Sequence, residues 1–143
     1  MDFSSINWLA VLVCVILSMV VGFLWFNPKT FFPIWWKAIG KSERDGDPGM
    51  GSAMGMTWGL TILASIVQVV FMALMVNAMG SMTPGGPTLA SGAMAGFILW
   101  FGFVVPTSIT NKIFAGQLKA WVLEMGPHLI DFVLFGAILG AWH

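Results

Sequence analysis

The stretch LKAWVLEMGPHLIDFVLFGAILGAW, residues 118–142, is apolar almost throughout yet contains Glu124, His128 and Asp131. It is long enough to cross a hydrocarbon core of ~30 Å, which takes about 20 residues as a helix. It shows none of the period-2 alternation of a barrel strand. A bilayer offers no water to exposed backbone groups, so such a run crosses it as a helix. If this segment is a span, the rest of the chain follows its pattern.

Three further runs read the same way, at about residues 6–26, 54–79 and 89–110. The expected fold is all-α: a single domain of four transmembrane helices in a bundle, spanning residues 1–143. The chain is 58% hydrophobic and 8% charged, with a mean hydropathy of +0.90. An average soluble domain carries roughly 25% charge, and a chain this short has no soluble core able to absorb so much apolar surface. Balanced charge, with six basic and six acidic residues, gives no reason to expect a nucleic-acid partner. The single Cys14 excludes an intrachain disulfide. The first run has no basic residue before it and reads as a retained helix and not a cleaved leader.

Basic residues occupy two places only. Lys29, Lys37, Lys41 and Arg44 lie in the first connection, and Lys112 and Lys119 flank the third. The positive-inside tendency then puts both connections in the cytoplasm and both termini outside. Trp8 and Trp142 fall at the outer interface and Trp25, Trp35, Trp36 and Trp121 at the inner one, with Trp100 left mid-span. In the first connection, residues 30–39 alternate aromatic and aliphatic groups with Lys37 and end at Gly40. This predicts a short helix lying in the headgroup region, with Gly40 closing it. Residues 40–49, GKSERDGDPG, read as a solvated loop. Its acids lack the spacing of a calcium loop.

Small residues mark helix contacts, because close backbone approach replaces the hydrophobic drive that lipid does not supply. Gly51, Gly55 and Gly59 recur four apart, as do Gly92 and Gly96, and Gly136 and Gly140. Four helices apolar nearly all round leave much surface facing lipid, so a homo-oligomer is expected, or a partner membrane protein. Polar stripes also recur. Asn7, Cys14, Ser18 and Gly22 share one face of the first run, and Thr57, Thr61, Ser65 and Gln68 one face of the second. Pro106 frees a backbone carbonyl that Thr107, Ser108, Thr110 and Asn111 are placed to satisfy.

The fourth run carries the functional signal. Glu124, His128 and Asp131 fall within an arc of about 60° of helix surface. Asp131 lies about 20 Å along the helix, where a charge costs at least ~2.5 kcal/mol to insert. Gly126–Pro127 is expected to break or kink the helix beside them. One reading is a relay for a proton, a cation or a polar solute along this face, with Gln68 at similar depth and Asn111 near its cytoplasmic end. The other is structural: Glu124 reaches the interface or a lysine, while His128 and Asp131 bond each other or Gln68. A shared metal ion is disfavoured, because Glu124 and Asp131 stand about 10.5 Å apart along the axis and no second His/Glu cluster exists in the spans.

INWLAVLV, LWFNP with WWKAIG, VVPTSITNKIFAG and HLIDFVLFGAILGAW together resemble the domain-of-unknown-function 1761 family, small four-helix membrane proteins of bacteria. The resemblance implies a bacterial inner membrane and the four-helix architecture, and it implies no chemistry. Where members often show FEGR, this chain has FAGQ at residues 114–117, which removes an acid–base pair. Enzyme chemistry lacks its parts. A glutathione-conjugating membrane enzyme needs Arg and Tyr, whereas this chain has no Tyr and only Arg44, in a loop. A small multidrug-type exporter would place its carboxylate on the first helix, which has none. The expectation is therefore a channel or transporter using the fourth-helix face, or else an accessory or scaffolding membrane subunit.

Overall fold

The computed structural model describes residues 2–47 and 49–143. Met1 and Pro48, the latter the expected stop of the charged loop, lie outside the described residues. The described residues form six α-helices: α1 Trp8–Trp25, α2 Phe32–Ala38, α3 Met54–Ser81, α4 Leu89–Leu99, α5 Val105–Phe114 and α6 Leu118–Ala141. Among the described residues no strand occurs. Among the described residues, four helical stretches are long and apolar enough to cross a membrane: α1, the α3 region, the continuous run from α4 through α5, and α6.

Local chemistry explains the boundaries. Asn7 caps α1 by accepting from the amides of Leu9 and Ala10. Thr88 and Ser91 form a reciprocal capping box on α4. Gly40, at φ +82°, closes the short α2 in the left-handed region as expected. In the loop that follows, the Ser42 amide and hydroxyl donate to Asp45. These bonds hold its carboxyl below the usual range, the backbone bond more than the side-chain bond. Asp47 accepts from the Gly49 amide, so both carboxylates serve their own turns.

The core is layered around α6, which packs on α4, α1 and α3. The α4–α6 pair is in backbone contact. Gly92 faces Gly136 and Gly140, and Gly96 faces Phe132. Phe135, Leu139, Val69, Val76, Ala10 and Cys14 fill the buried layer beside this crossing. Deeper, the Ser18 and Ser65 hydroxyls bond each other between α1 and α3, inside the polar stripes predicted for those helices.

Two prolines behave differently. Pro127 does not break α6, which runs unbroken from Leu118 to Ala141. Proline removes the amide that would serve the carbonyl four residues back, here Leu123. The Trp25 indole N–H donates to that carbonyl at 2.9 Å. Its ring occupies the space where a Cβ on Gly126 would stand, 2.5 Å from the ring carbons. Gly126–Pro127 is thus a slot for the end of α1, and the helix continues past the proline with an indole in place of the missing donor. Trp25→Phe keeps the ring in the slot and orphans the Leu123 carbonyl. We expect it to cost about 1–3 kcal/mol, read as a lowered thermal midpoint in detergent. An unchanged midpoint would mean that the bond contributes nothing.

Pro106, by contrast, reshapes the third span. The five residues Trp100–Val104 form a π turn between α4 and α5, with the Val105 amide reaching back to the Trp100 carbonyl. The Ser108 hydroxyl bonds the Val104 carbonyl and that of Thr110 bonds the Pro106 carbonyl. The carbonyl that Pro106 would have served, on Gly102, receives none of these hydroxyls. Thr107 and Asn111 make no such bond either. The predicted repair by side chains therefore gives way to a change of helix pitch.

Candidate functional site

The three ionisable groups of α6 lie in three different environments. Glu124, nearest the basic end, accepts from Lys112 Nζ at 2.8 Å and from the Trp35 indole at 2.9 Å. It is therefore tied to α5 and to α2, as the structural reading anticipated for this residue. Asp131, mid-span, is 9% exposed, and its Oδ1 makes no hydrogen bond among the described residues. His128, between them, is exposed. Neither the expected His128–Asp131 bond nor the expected Asp131–Gln68 bond is formed. Gln68 is half-buried without a side-chain hydrogen bond, and Asn111 is exposed at the far end of α5. The stripe is not one continuous relay, because Glu124 is already paired and Asp131 points into the packed interior.

The exposure of His128 is the informative departure. Phe135 and Leu139 stand seven and eleven residues further along, hence within about 20° of His128 on the helix surface. Both are buried, at 0% and 3% exposure. His128 lies on the inward arc of α6 and is still exposed, so the bundle is open at its level. The walls of the opening agree. The start of α3, from Met54 to Ala64, is exposed apart from half-buried Thr57, and α5 contains no buried residue. These two segments make at most marginal contact with each other. Helix α5 packs on α6 rather than on α3, and the Trp25 latch holds α1 against α6.

Depth can be read from the interhelix bonds. Trp25 meets Leu123, and counting back along antiparallel α1 to Ser18 matches counting forward along α6 to Ile130. The Ser18–Ser65 pair therefore sits at the level of Asp131. On the other side, the Gly92–Gly136 and Gly96–Phe132 register, extended one turn, brings Trp100 level with His128. Trp100 is half-buried against the core, which answers its mid-span placement, and its indole N–H is buried without a partner. An unfilled donor and an unfilled acceptor thus occur where the opening ends and close packing begins. Among the described residues, no three His, Cys, Asp or Glu side chains converge as a metal site would require.

Of the glycines marked by spacing, Gly92, Gly96, Gly136 and Gly140 form the α4–α6 crossing. Gly55 and Gly59 border open space, with nothing within 4 Å of where a Cβ would stand, and Gly51 lies outside α3 in a turn at φ +75°. The expected second glycine contact is therefore not made within the chain, because α1 leans onto α6 and leaves the start of α3 uncovered. Sequence reasoning did not identify Trp25, Trp35 and Lys112 as the partners that hold α6. The signal for Trp25 was the missing donor at Pro127.

The family model described as protein of unknown function (DUF1761) matches residues 9–140. No curated protein and no solved structure matches the chain.

Proposed function

We propose, on the premise that the chain belongs to the DUF1761 family and is a membrane protein with four spanning helices, that it carries a proton or small cation through Asp131. The supporting observation is the position of this carboxyl, which is buried and unpartnered one turn beyond an exposed histidine. It lies at the closed end of an opening that faces the basic end of the bundle. An ionisable group held in a span is costly and is functional by default. Beyond Asp131 the path is shut by Phe132, Phe135, Leu139 and the glycine crossing. The protein is accordingly a carrier open on one side, and not a continuous pore. His128 is the group through which the ion reaches Asp131. The positive-inside tendency places the opening on the cytoplasmic side of a bacterial inner membrane, with both termini outside. A second copy would cover the bare start of α3.

Vesicles containing the purified protein and an internal pH dye are expected to show ion-coupled pH change above protein-free vesicles. Asp131→Asn, which keeps the shape and removes the exchangeable carboxyl, should bring the flux down to the protein-free level. Equal flux in wild type and Asp131→Asn overturns the proposal, as does wild-type flux no higher than the control. The uncovered glycines Gly55 and Gly59 favour a second reading, an accessory subunit that docks another membrane helix there. In that case wild type shows no flux, and Asp131→Asn alters only the stability of the assembly.

A further inference from the structure

Lys37 and Lys119, with Pro33, Ile34 and Ala38, line a recess of about 480 Å³ between α2 and the start of α6. It lies apart from the Asp131 opening and plays no role in it. Four features of the recess converge on one ligand chemistry. Its two ammonium groups are uncommitted, since the only ion pair among the described residues joins Lys112 to Glu124. The start of α6 is uncapped: Gln117 makes no side-chain bond to the first turn, and its side-chain amide donates to the Ile39 carbonyl instead. That turn holds no acidic residue, so the positive end of a 24-residue helix is left uncompensated beside Lys119. The remaining lining is apolar. Pro33, Ile34 and Ala38 supply a hydrocarbon surface that a free anion in water would not use.

The depth of the recess identifies the source of the anion. Phe31, just before α2, and Ile34 within it are exposed, and Phe32, Trp35 and Trp36 pack against one another. Such a short aromatic helix lies at headgroup level. We infer that this recess binds the phosphate headgroup of an anionic phospholipid, with Lys37 and Lys119 flanking the phosphate and the acyl chains running over Ile34. Juxtamembrane lysines are worth about 1 kcal/mol each toward anionic lipid. Removing both should weaken binding by roughly tenfold to thirtyfold.

The test is lipid titration of the full chain in neutral detergent, read by native mass spectrometry with phosphatidylglycerol, phosphatidylcholine and inorganic phosphate as separate probes. Wild type should retain phosphatidylglycerol over phosphatidylcholine, and Lys37→Gln/Lys119→Gln should lose that preference. Lys29→Gln/Lys41→Gln removes equal charge from the same end but outside the recess, and should keep the preference. Equal loss in both double variants would overturn the assignment in favour of diffuse attraction to the basic end. Inorganic phosphate competing as well as the lipid would overturn it in favour of a soluble anion. Absence of any preference in wild type would overturn it outright.

Discussion

Gly96→Ala is expected to destabilise the bundle strongly and to lower its thermal midpoint well below that of the wild type. A methyl on Gly96 would stand far inside contact distance of the Phe132 carbonyl oxygen and 2.7 Å from its carbonyl carbon. Non-bonded carbon contacts lie near 3.5 Å, and both atoms are backbone, so no side chain can move aside. Helices α4 and α6 must separate instead, and with them the layer containing Phe135 and Leu139. Overpacking costs typically 1–3 kcal/mol and more where nothing can yield; this crossing belongs at the upper end. Gly55→Ala is the internal comparison, with nothing within 4 Å and a helical backbone. There the methyl should be neutral or stabilising by up to ~1 kcal/mol, the usual gain of Ala over Gly in a helix. Thermal melts in one detergent decide the matter. Equal midpoints for the two variants would mean that the α4–α6 backbones are not in contact.

The second large effect is expected at Lys112. Lys112→Met leaves the Glu124 carboxylate, 19% exposed, with only the Trp35 indole as a donor. Removing one partner of a fully buried pair costs ~3–5 kcal/mol. Partial exposure of both partners reduces this to about 1–3 kcal/mol. Adding Glu124→Gln should recover most of the loss, because the neutral amide still accepts from Trp35. Recovery in the double variant is the diagnostic result. Additive losses would show that each side chain acts through its own packing and not through the pair.

The architecture was legible because lipid imposes few solutions. Four apolar runs of spanning length can only be helices, and among the described residues four helical stretches of that kind occur. The short α2 and its closing Gly40 were equally readable, since amphipathic spacing and a left-handed glycine are local properties. The site was harder. Angular periodicity placed Glu124, His128 and Asp131 on one stripe, and they do lie on neighbouring arcs of α6. Which of them is buried depends on the neighbours, and these were set by two events without a periodic signature. One is the π turn before Pro106, where the third span changes pitch. The other is the indole of Trp25, distant in sequence, supplying the donor that Pro127 lacks. A proline in a helix shows that a carbonyl has been freed; it does not show whether the chain will fill that carbonyl or alter its pitch around it. This chain does each once.

The π turn at Trp100–Val104 also bears on how the third span tolerates changes of length. A π turn holds one more residue than the α turn it replaces, and one residue corresponds to about 100° of rotation. Deleting a single residue there would let an α turn form, and because the wider π turn completes the same revolution with one residue more, α5 would keep nearly its present phase. Ser108 would still face the Trp121 indole that donates to it, and Lys112 would still face Glu124. The same deletion between Gly92 and Gly96 would instead throw the backbone contact with α6 out of phase. Loss of one residue from this span is therefore cheapest at the π turn, where it leaves both the crossing and the aim of α5 intact.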